Sequence, residues 1–192
     1  QRAPFSEGTP LNASFASALR AASEVASAQH YPQGALYVVA TPIGNLADIS
    51  LPALHLLQLV DCIACEDTRP TQGLLRSYGI EKNGSQLLAV HQHNEQEGAQ
   101  AVLARLQQGQ RVAYVSDAGT PGISDPGARL AAAVHAAALR VVAVPGVSSV
   151  TAALSVAGAV AAPGAEAGFV FVGFLPTKSG ERGAAIESLR NE

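Results

Sequence analysis

Six short apolar runs recur along the chain, and a segment rich in glycine, proline or polar residues follows each of them. None of the runs alternates between apolar and polar residues, which is typical of strands buried on both faces of a sheet. We predict a strand at each run. The runs cover residues 36–40, 62–65, 87–90, 112–115, 141–144 and 169–172.

Helix start and stop signals lie between the runs. Ser50 is a good N-cap for a helix over 51–60, and Gly79 is expected to end a helix over 71–78. Asn94 is a candidate cap for a helix to about residue 108, and Pro126 stands at the predicted start of the next helix. Further helices are predicted over 149–156 and 182–190. Strands that alternate with helices predict an α/β fold: a parallel sheet with helices on both faces.

The first 33 residues differ from the rest in composition. Residues 14–29 are rich in alanine and serine, and their only large apolar side chains are Phe15, Leu19 and Val25. We expect a weak helix here with little to bury. Residues 1–33 are therefore predicted to be a poorly ordered extension, with the folded part beginning near residue 34.

Composition narrows the class of protein. Hydrophobic residues make up 48% of the chain and charged residues 14%, so a sizeable core is expected. The net charge of −3 is not that of a typical nucleic-acid-binding protein. No apolar run is long enough for a membrane span. Cys62 and Cys65 lie on one short segment, which does not resemble a disulfide framework and fits the reducing cytoplasm.

The first five runs each end in a cluster of polar residues or a loop. These clusters occupy residues 41–46, 66–69, 91–95, 116–127 and 145–149. Ligands of parallel sheets bind at the carboxyl ends of strands, so five clusters on one edge predict a binding cleft. The cluster at 116–127 is the most informative. Its three glycines let the backbone approach a ligand closely, and a helix with free N–H groups follows.

Several common chemistries are disfavoured by the motifs. The chain has no G-x-G-x-x-G after its first strand, no phosphate-binding loop of the G-x-x-x-x-G-K-[ST] type and no G-x-S-x-G elbow. Cys62 and Cys65 are three apart in a strand and should face opposite sides, as core residues do. His91 and His93 could ligate a metal, but no third ligand is evident.

The acidic residues of the clusters allow two interpretations. Asp67 and Arg69 could form a surface ion pair or belong to a site, and Asp125 is better explained as a helix cap than as a metal ligand.

With no nucleophile–base pair or metal cage in evidence, a reaction that needs mainly positioning fits best. Methyl transfer from a sulfonium donor is such a reaction, because the cofactor supplies the electrophile.

The motifs, taken in order, resemble the tetrapyrrole methylase superfamily, and within it the ribosomal RNA small subunit methyltransferase I branch. They are TPIGNLADIS at 41–50, CEDTR at 65–69, HNE at 93–95, VSDAGTPGISDPG at 115–127, PGVSS at 145–149 and FVGFLP at 171–176. The resemblance covers residues 34–192. It implies S-adenosyl-L-methionine as cofactor, a cytidine 2′-hydroxyl of small-subunit ribosomal RNA as methyl acceptor, and a cytoplasmic homodimer.

The resemblance also implies a domain organisation and a set of site residues. Residues 34–162 would form the N-terminal methylase domain, and 163–192 the linker and the start of a second α/β domain that continues past Glu192. The cofactor would lie between the domains and contact Pro42, Ser116, Asp117, Ala118, Gly119, Ile123, Ser124, Ser148, Ser149, Phe174 and Leu175. The acceptor side would be lined by Asp67, Thr68, Arg69, His93, Asn94 and Glu95.

Roles on the acceptor side follow as hypotheses. Asp67 and Glu95 are candidate bases for the ribose hydroxyl, with His93 a third, and Arg69 would hold a phosphate. No metal is expected. The loop PGVSS at 145–149 departs from the family pattern, because relatives commonly have PGPSA there. Two rival functions stay open: a corrin or precorrin methyltransferase, which would need a roomier apolar pocket, and a nucleotide-binding module without activity.

Overall fold

The computed structural model describes residues 12–158 and 168–189, and the chain divides into two compact units, Gln1–Ala153 and Leu154–Glu192. The strands are β1 (Ala35–Val39), β2 (Cys62–Cys65), β3 (Leu87–Ala89), β4 (Val112–Val115) and β5 (Arg140–Val144). The helices are α1 (Asn12–Ala26), α2 (Leu51–Leu59), α3 (Thr68–Tyr78), α4 (Glu95–Gln107), α5 (Gly127–Ala136), α6 (Ser149–Ala157) and α7 (Ser179–Ser188). No helix among the described residues is long and apolar enough to cross a membrane.

The five strands form one sheet in the order β3-β2-β4-β1-β5, and every pairing is parallel. Each strand begins and ends within one residue of its predicted position. All residues of β2 and β4 are buried, as expected for the centre of a sheet covered on both sides. The predicted fold class is confirmed.

Two apolar cores cover the two faces of the sheet. Helices α1, α2 and α3 pack on one face, where the largest buried side chains include Tyr37, Leu57 and Tyr78. Helices α4 and α5 cover the other face, around Leu106, Tyr114 and Leu130. Cys65 belongs to the first core and Cys62 to the second, so the prediction that these free cysteines face opposite sides is confirmed.

The direction of the crossovers creates a crevice beside β4. The chain leaves β1 and β2 for helices on one face of the sheet, whereas it leaves β4 for α5 on the opposite face. Loops that diverge in this way from neighbouring strands open a space at the carboxyl edge, where ligands of open α/β sheets bind. The three central strands thus point their polar clusters into one region.

The predicted sixth strand is wrong. Residues 169–172 lie in the second unit and carry no strand in the structure, although their apolar run matches the other five. A strand requires a partner that takes up its backbone N–H and C=O groups, and none of the described residues of the second unit provides one. The helix that follows, α7, begins and ends slightly earlier than the predicted 182–190.

The expectation that the N-terminal segment buries little is also wrong for its described part. Helix α1 packs against α2 and α3, and its Ala22 and Ala26 are almost fully buried. Small side chains let helix backbones approach closely, so an alanine-rich face can be buried without large residues. Phe15 meets the ring of Tyr78 edge-on, with 5.0 Å between ring centroids. The hydroxyl of Tyr78 donates to the carbonyl of Leu46, in the loop after β1.

We expect Phe15→Ala to lower the free energy of unfolding by about 2 kcal/mol, less than full burial of a phenyl ring would give because Phe15 is only partly buried. Urea denaturation measures this change. Val25→Ala on the same helix is the control, since the Val25 side chain is 62% exposed and its truncation should change little. Equal effects of the two substitutions would contradict the packing of α1.

Candidate cofactor and substrate site

Hydrogen bonds join the loops that follow β1, β4 and β5. Thr41 and Gly119 exchange two backbone hydrogen bonds of 3.0 Å each, which ties the first loop to the glycine-rich loop. Gly119 has a φ of 83°, a conformation that glycine adopts without strain. The Thr120 hydroxyl donates to the carbonyl of Val147 at 2.8 Å and so links the third loop. Three of the five predicted loops, those after β1, β4 and β5, are therefore one connected structure.

Asp125 anchors the far end of the glycine-rich loop. Its carboxylate accepts hydrogen bonds from the backbone N–H groups of Gly122 and Gly127, and from the hydroxyl of the buried Tyr114 at 3.3 Å. The predicted capping role is supported, since Gly127 is the first residue of α5. Pro126 is the N-cap residue rather than the first helical residue, a shift of one position. Burial, and next the charge of Asp125, raise the pKa of Tyr114.

The predicted cofactor residues of the first unit all lie along these loops. Asp117, Ala118, Ile123 and Ser124 are exposed on the glycine-rich loop, while Pro42, Ser116 and Gly119 are buried beneath them. Ser148 and Ser149 lie at the start of α6, after β5. Phe174 and Leu175 belong to the second unit, and their part in the site stays a prediction.

A cleft of about 360 Å³ opens where the loops after β2, β3 and β4 meet. Its walls are formed by Glu66, Asp67, His91, Gln92, His93, Asp117, Ser124, Asp125 and Pro126. Two predicted acceptor-side residues, Asp67 and His93, thus share a cleft with two predicted cofactor residues, Asp117 and Ser124. This arrangement brings the two halves of the predicted site side by side.

Asp67 has a structural role as well as a place in the cleft. Its carboxylate accepts from the backbone N–H of Arg69 at 2.9 Å, which caps α3 and explains why that helix begins at Thr68, earlier than predicted. The Arg69 guanidinium also binds the carboxylate, with 2.6 Å from Nη2 to Oδ2. These hydrogen bonds lower the pKa of Asp67. The predicted surface ion pair exists, and the Arg69 side chain is 87% exposed.

Asn94 does not cap α4 with its side chain, contrary to the prediction. Its Oδ1 instead accepts from the backbone N–H of His91 at 2.8 Å, and its Nδ2 donates to the carbonyl of Ala89. The amide therefore holds the loop after β3. The rings of His91 and His93 lie 6.0 Å apart, and the described residues contain no group of three or more potential metal ligands.

Glu95 follows His93 and Asn94 in the chain but lines a different pocket from Asp67 and His93. It forms an ion pair with Arg129 of α5, and both residues line a separate, mainly apolar groove of about 340 Å³ between α4 and α5. The groove also includes Leu103 and Leu130. Glu95 therefore does not line the cleft that Asp67 and His93 share.

Glu66 is a cleft residue that the sequence prediction omitted. It follows β2 directly and is half-buried. Burial, and next the charges of Asp117 and Asp125, raise its pKa above the usual value for a glutamate. Its position as the first polar residue after a central strand was the signal available in the sequence. Cys65, just before it, is inert by comparison, since burial raises its pKa to about 11.

The chain is similar to a protein family and to several named proteins. The family model for tetrapyrrole (corrin/porphyrin) methylases matches residues 35–192. A ribosomal RNA small subunit methyltransferase I from Neisseria meningitidis serogroup A is 54% identical over 149 residues, which are 78% of this chain and 48% of the relative. The protein of the same name from Escherichia coli O157:H7 is 50% identical over 160 residues, 83% of this chain and 53% of the relative.

The chain thus spans about half the length of these curated relatives. Among solved structures, a uroporphyrin-III C-methyltransferase from Thermus thermophilus aligns with a TM-score of 0.49 and 26% identity, over 64% of this chain and 51% of that one.

Proposed function

Because the chain belongs to the tetrapyrrole (corrin/porphyrin) methylase family, we propose that it is part of an S-adenosyl-L-methionine-dependent methyltransferase that acts on small-subunit ribosomal RNA. The relatives that are about 50% identical carry that substrate in their names. The finer proposal, from the motifs, is methylation of a cytidine 2′-hydroxyl. The observation that carries the proposal is that hydrogen bonds join the loops after β1, β4 and β5 beside the cleft.

The residues of the three loops fit an adenosyl cofactor. Ile43 of the first loop and Ile123 of the glycine-rich loop, which are 39% and 52% exposed, offer apolar surface for a purine. The Asp117 carboxylate can accept hydrogen bonds from ribose hydroxyls or from an amino group. Gly119 leaves room here, because a Cβ at this position would lie 3.3 Å from the Ile43 side chain. When bound, S-adenosyl-L-methionine would supply an electrophilic methyl group.

The chain's own residues would position the acceptor. We assign the exposed Arg69 to an RNA phosphate, with Asp67 fixing the guanidinium in place. His93, exposed at the rim of the cleft, would contact the acceptor nucleotide. Glu95, held by Arg129, would support the neighbouring surface of α4 and α5 rather than touch the reacting atoms. Phe174 and Leu175 would cover the cofactor from the second unit.

The proposed partner is an assembled small ribosomal subunit or its RNA, encountered in the cytoplasm. The net charge of −3 favours recognition by shape and by a few placed cations over a broad basic surface. We also propose a homodimer, as the family resemblance implies. Sedimentation of the full-length protein tests it, and a monomer at micromolar concentration would contradict it.

The proposed activity is tested by incubating the full-length protein with methyl-labelled S-adenosyl-L-methionine and small ribosomal subunits from cells that lack the enzyme. Digestion of the RNA to nucleosides should place the label in 2′-O-methylcytidine. Label in another nucleoside would contradict the finer proposal. Transfer to a corrin or porphyrin and not to RNA, or cofactor binding without any transfer, would favour the rival functions.

We expect Asp67→Asn to slow methyl transfer by roughly tenfold, because the Arg69 guanidinium loses the carboxylate that positions it. Affinity for S-adenosylhomocysteine should stay nearly unchanged. Stability should change little, since exposed ion pairs contribute little and asparagine also caps helices. Calorimetry and single-turnover assays measure the two quantities. Lost cofactor affinity with intact turnover would remove Asp67 from the acceptor side.

A further inference from the structure

We propose that Glu66 is the catalytic proton acceptor for the ribose hydroxyl, an inference that rests on the proposed function. Glu66 lies directly after β2, and the register that pairs Cys65 with Val115 sets it beside Ser116 at the start of the glycine-rich loop. Asp117 and Ser124 of that loop line the same cleft as Glu66. A nucleotide entering the cleft would therefore lie between this carboxylate and the cofactor loop.

The alternation of β2 gives the direction of the Glu66 side chain. Cys62 and Ala64 belong to the core on the side of α4 and α5, so Glu66 points to that side of the sheet. Tyr114 is in the same core, and its hydroxyl meets Asp125 at the wall of the cleft. Glu66 thus lines the cleft from that side of the sheet, while the Asp67 carboxylate is held by Arg69 at the start of α3.

Of the other carboxylates that line the cleft, Asp67 and Asp125 are engaged within the chain, and Asp117 is the residue assigned above to the cofactor. Asp67 is bound by the side chain and backbone of Arg69, and Asp125 by two backbone N–H groups and Tyr114. Glu95 is paired with Arg129 outside the cleft. Glu66 accepts no hydrogen bond from any side chain or backbone group in the described parts of the chain. Its oxygens are therefore free to accept one from a substrate hydroxyl.

In the proposed step the hydroxyl proton moves to a Glu66 carboxylate oxygen while the hydroxyl oxygen bonds to the methyl carbon. The bond between that carbon and the cofactor sulfur breaks, and its electron pair stays on sulfur. The charges balance, because one anion and one sulfonium become a neutral acid and a neutral thioether. A base in this position contributes about 10²- to 10⁴-fold to the rate.

The groups around Glu66 make its carboxylate a stronger proton acceptor. The charged or titratable groups that face it or line the cleft with it are Asp67, His91, His93, Tyr114, Asp117 and Asp125. Burial and the like charges of Asp117 and Asp125 raise the Glu66 pKa, which makes the carboxylate a stronger base than an exposed glutamate. The wild-type rate should therefore fall as the pH drops through a value above the ordinary glutamate pKa of about 4.3.

The test compares Glu66→Gln with wild type in the full-length protein, with Glu24→Gln on the exposed surface of α1 as the matched control. We expect Glu66→Gln to lower the single-turnover rate by 10²-fold or more at saturating subunits, with S-adenosylhomocysteine affinity intact and the acid limb of the pH profile lost. Glu24→Gln should match wild type. Turnover of Glu66→Gln within threefold of wild type would overturn the proposal, as would a wild-type profile without an acid limb.

Stability provides a readout that is independent of activity. Because folding raises the Glu66 pKa, the stability associated with this group is greatest below the unfolded pKa and is lost as the pH rises through the folded value. Glu66→Gln removes that loss, so its urea midpoint should exceed that of wild type at pH 7, and the difference should disappear as the pH falls well below the ordinary glutamate pKa of about 4.3. A lower midpoint at pH 7 would contradict the proposal. A wild-type protein that methylates no subunits would instead contradict the proposed function and leave this readout standing.

Discussion

Gly127→Ala should lower the free energy of unfolding by about 3 kcal/mol, the upper end of the usual cost of overpacking. A Cβ at this position would lie 2.4 Å from a ring carbon of Tyr114 and 2.6 Å from an Asp125 carboxylate oxygen. Neither neighbour can move easily. The Tyr114 ring is fully buried in the centre of the sheet, and the carboxylate is held by backbone N–H groups. Urea denaturation measures the change.

The same substitution should weaken binding of S-adenosylhomocysteine by tenfold or more, because displacing Asp125 releases the end of the glycine-rich loop. Gly73→Ala is the matched control. Gly73 lies inside α3, and an added Cβ there would have nothing within 4 Å, so alanine should stabilise by about 0.5–1 kcal/mol. If Gly127→Ala were as stable as wild type, the contact between α5, Tyr114 and the loop would be wrong.

Gly119→Ala should abolish most cofactor affinity, with at least a tenfold weaker binding of S-adenosylhomocysteine in calorimetry. Gly119 has a φ of 83°, where alanine is strained by about 1–2 kcal/mol, and the added Cβ would press on Ile43 at 3.3 Å. The hydrogen bonds between Gly119 and Thr41 would shift as the backbone relaxes. The loop after β1 would then separate from the glycine-rich loop.

Gly109→Ala separates this effect from backbone strain. Gly109 follows α4 with a similar φ of 80° and has nothing within 4 Å of an added Cβ. The Gly109→Ala variant should lose about as much stability as Gly119→Ala but keep its affinity for S-adenosylhomocysteine. Equal loss of affinity in both variants would mean that the loops beside β4 do not form the cofactor site.

Local sequence patterns were sufficient for the strands of the sheet but not for two other segments. The run at 112–115 is apolar, short and followed by glycine and proline, and these signals require no knowledge of neighbours. The run at 169–172 has the same pattern, yet a strand also needs a pairing partner, which local sequence does not contain. The burial of Ala22 depends on the close approach of α2 and is equally invisible in the sequence.

The candidate site shows the same division. Motifs identified the glycine-rich loop and the residues after β2 and β3, because the carboxyl ends of parallel strands must share an edge. The partners within that edge depend on register and crossover direction. As a result Glu95 lies outside the cleft, Asp67 caps a helix, and Glu66 lines one cleft with Asp117 and Asp125. The proposed roles of Glu66, Asp67 and Glu95 depend on these neighbours, so they could be assigned only from the structure.

Calorimetric titration of the full-length protein with S-adenosylhomocysteine tests most directly the claim that the loops after β1, β4 and β5 form a cofactor site. We predict micromolar binding of one molecule per chain, with the signals of Asp117, Ala118 and Ile123 shifting most in spectra of the backbone amides. Absence of binding by the full-length protein, or binding that leaves these three residues unperturbed, would contradict the account.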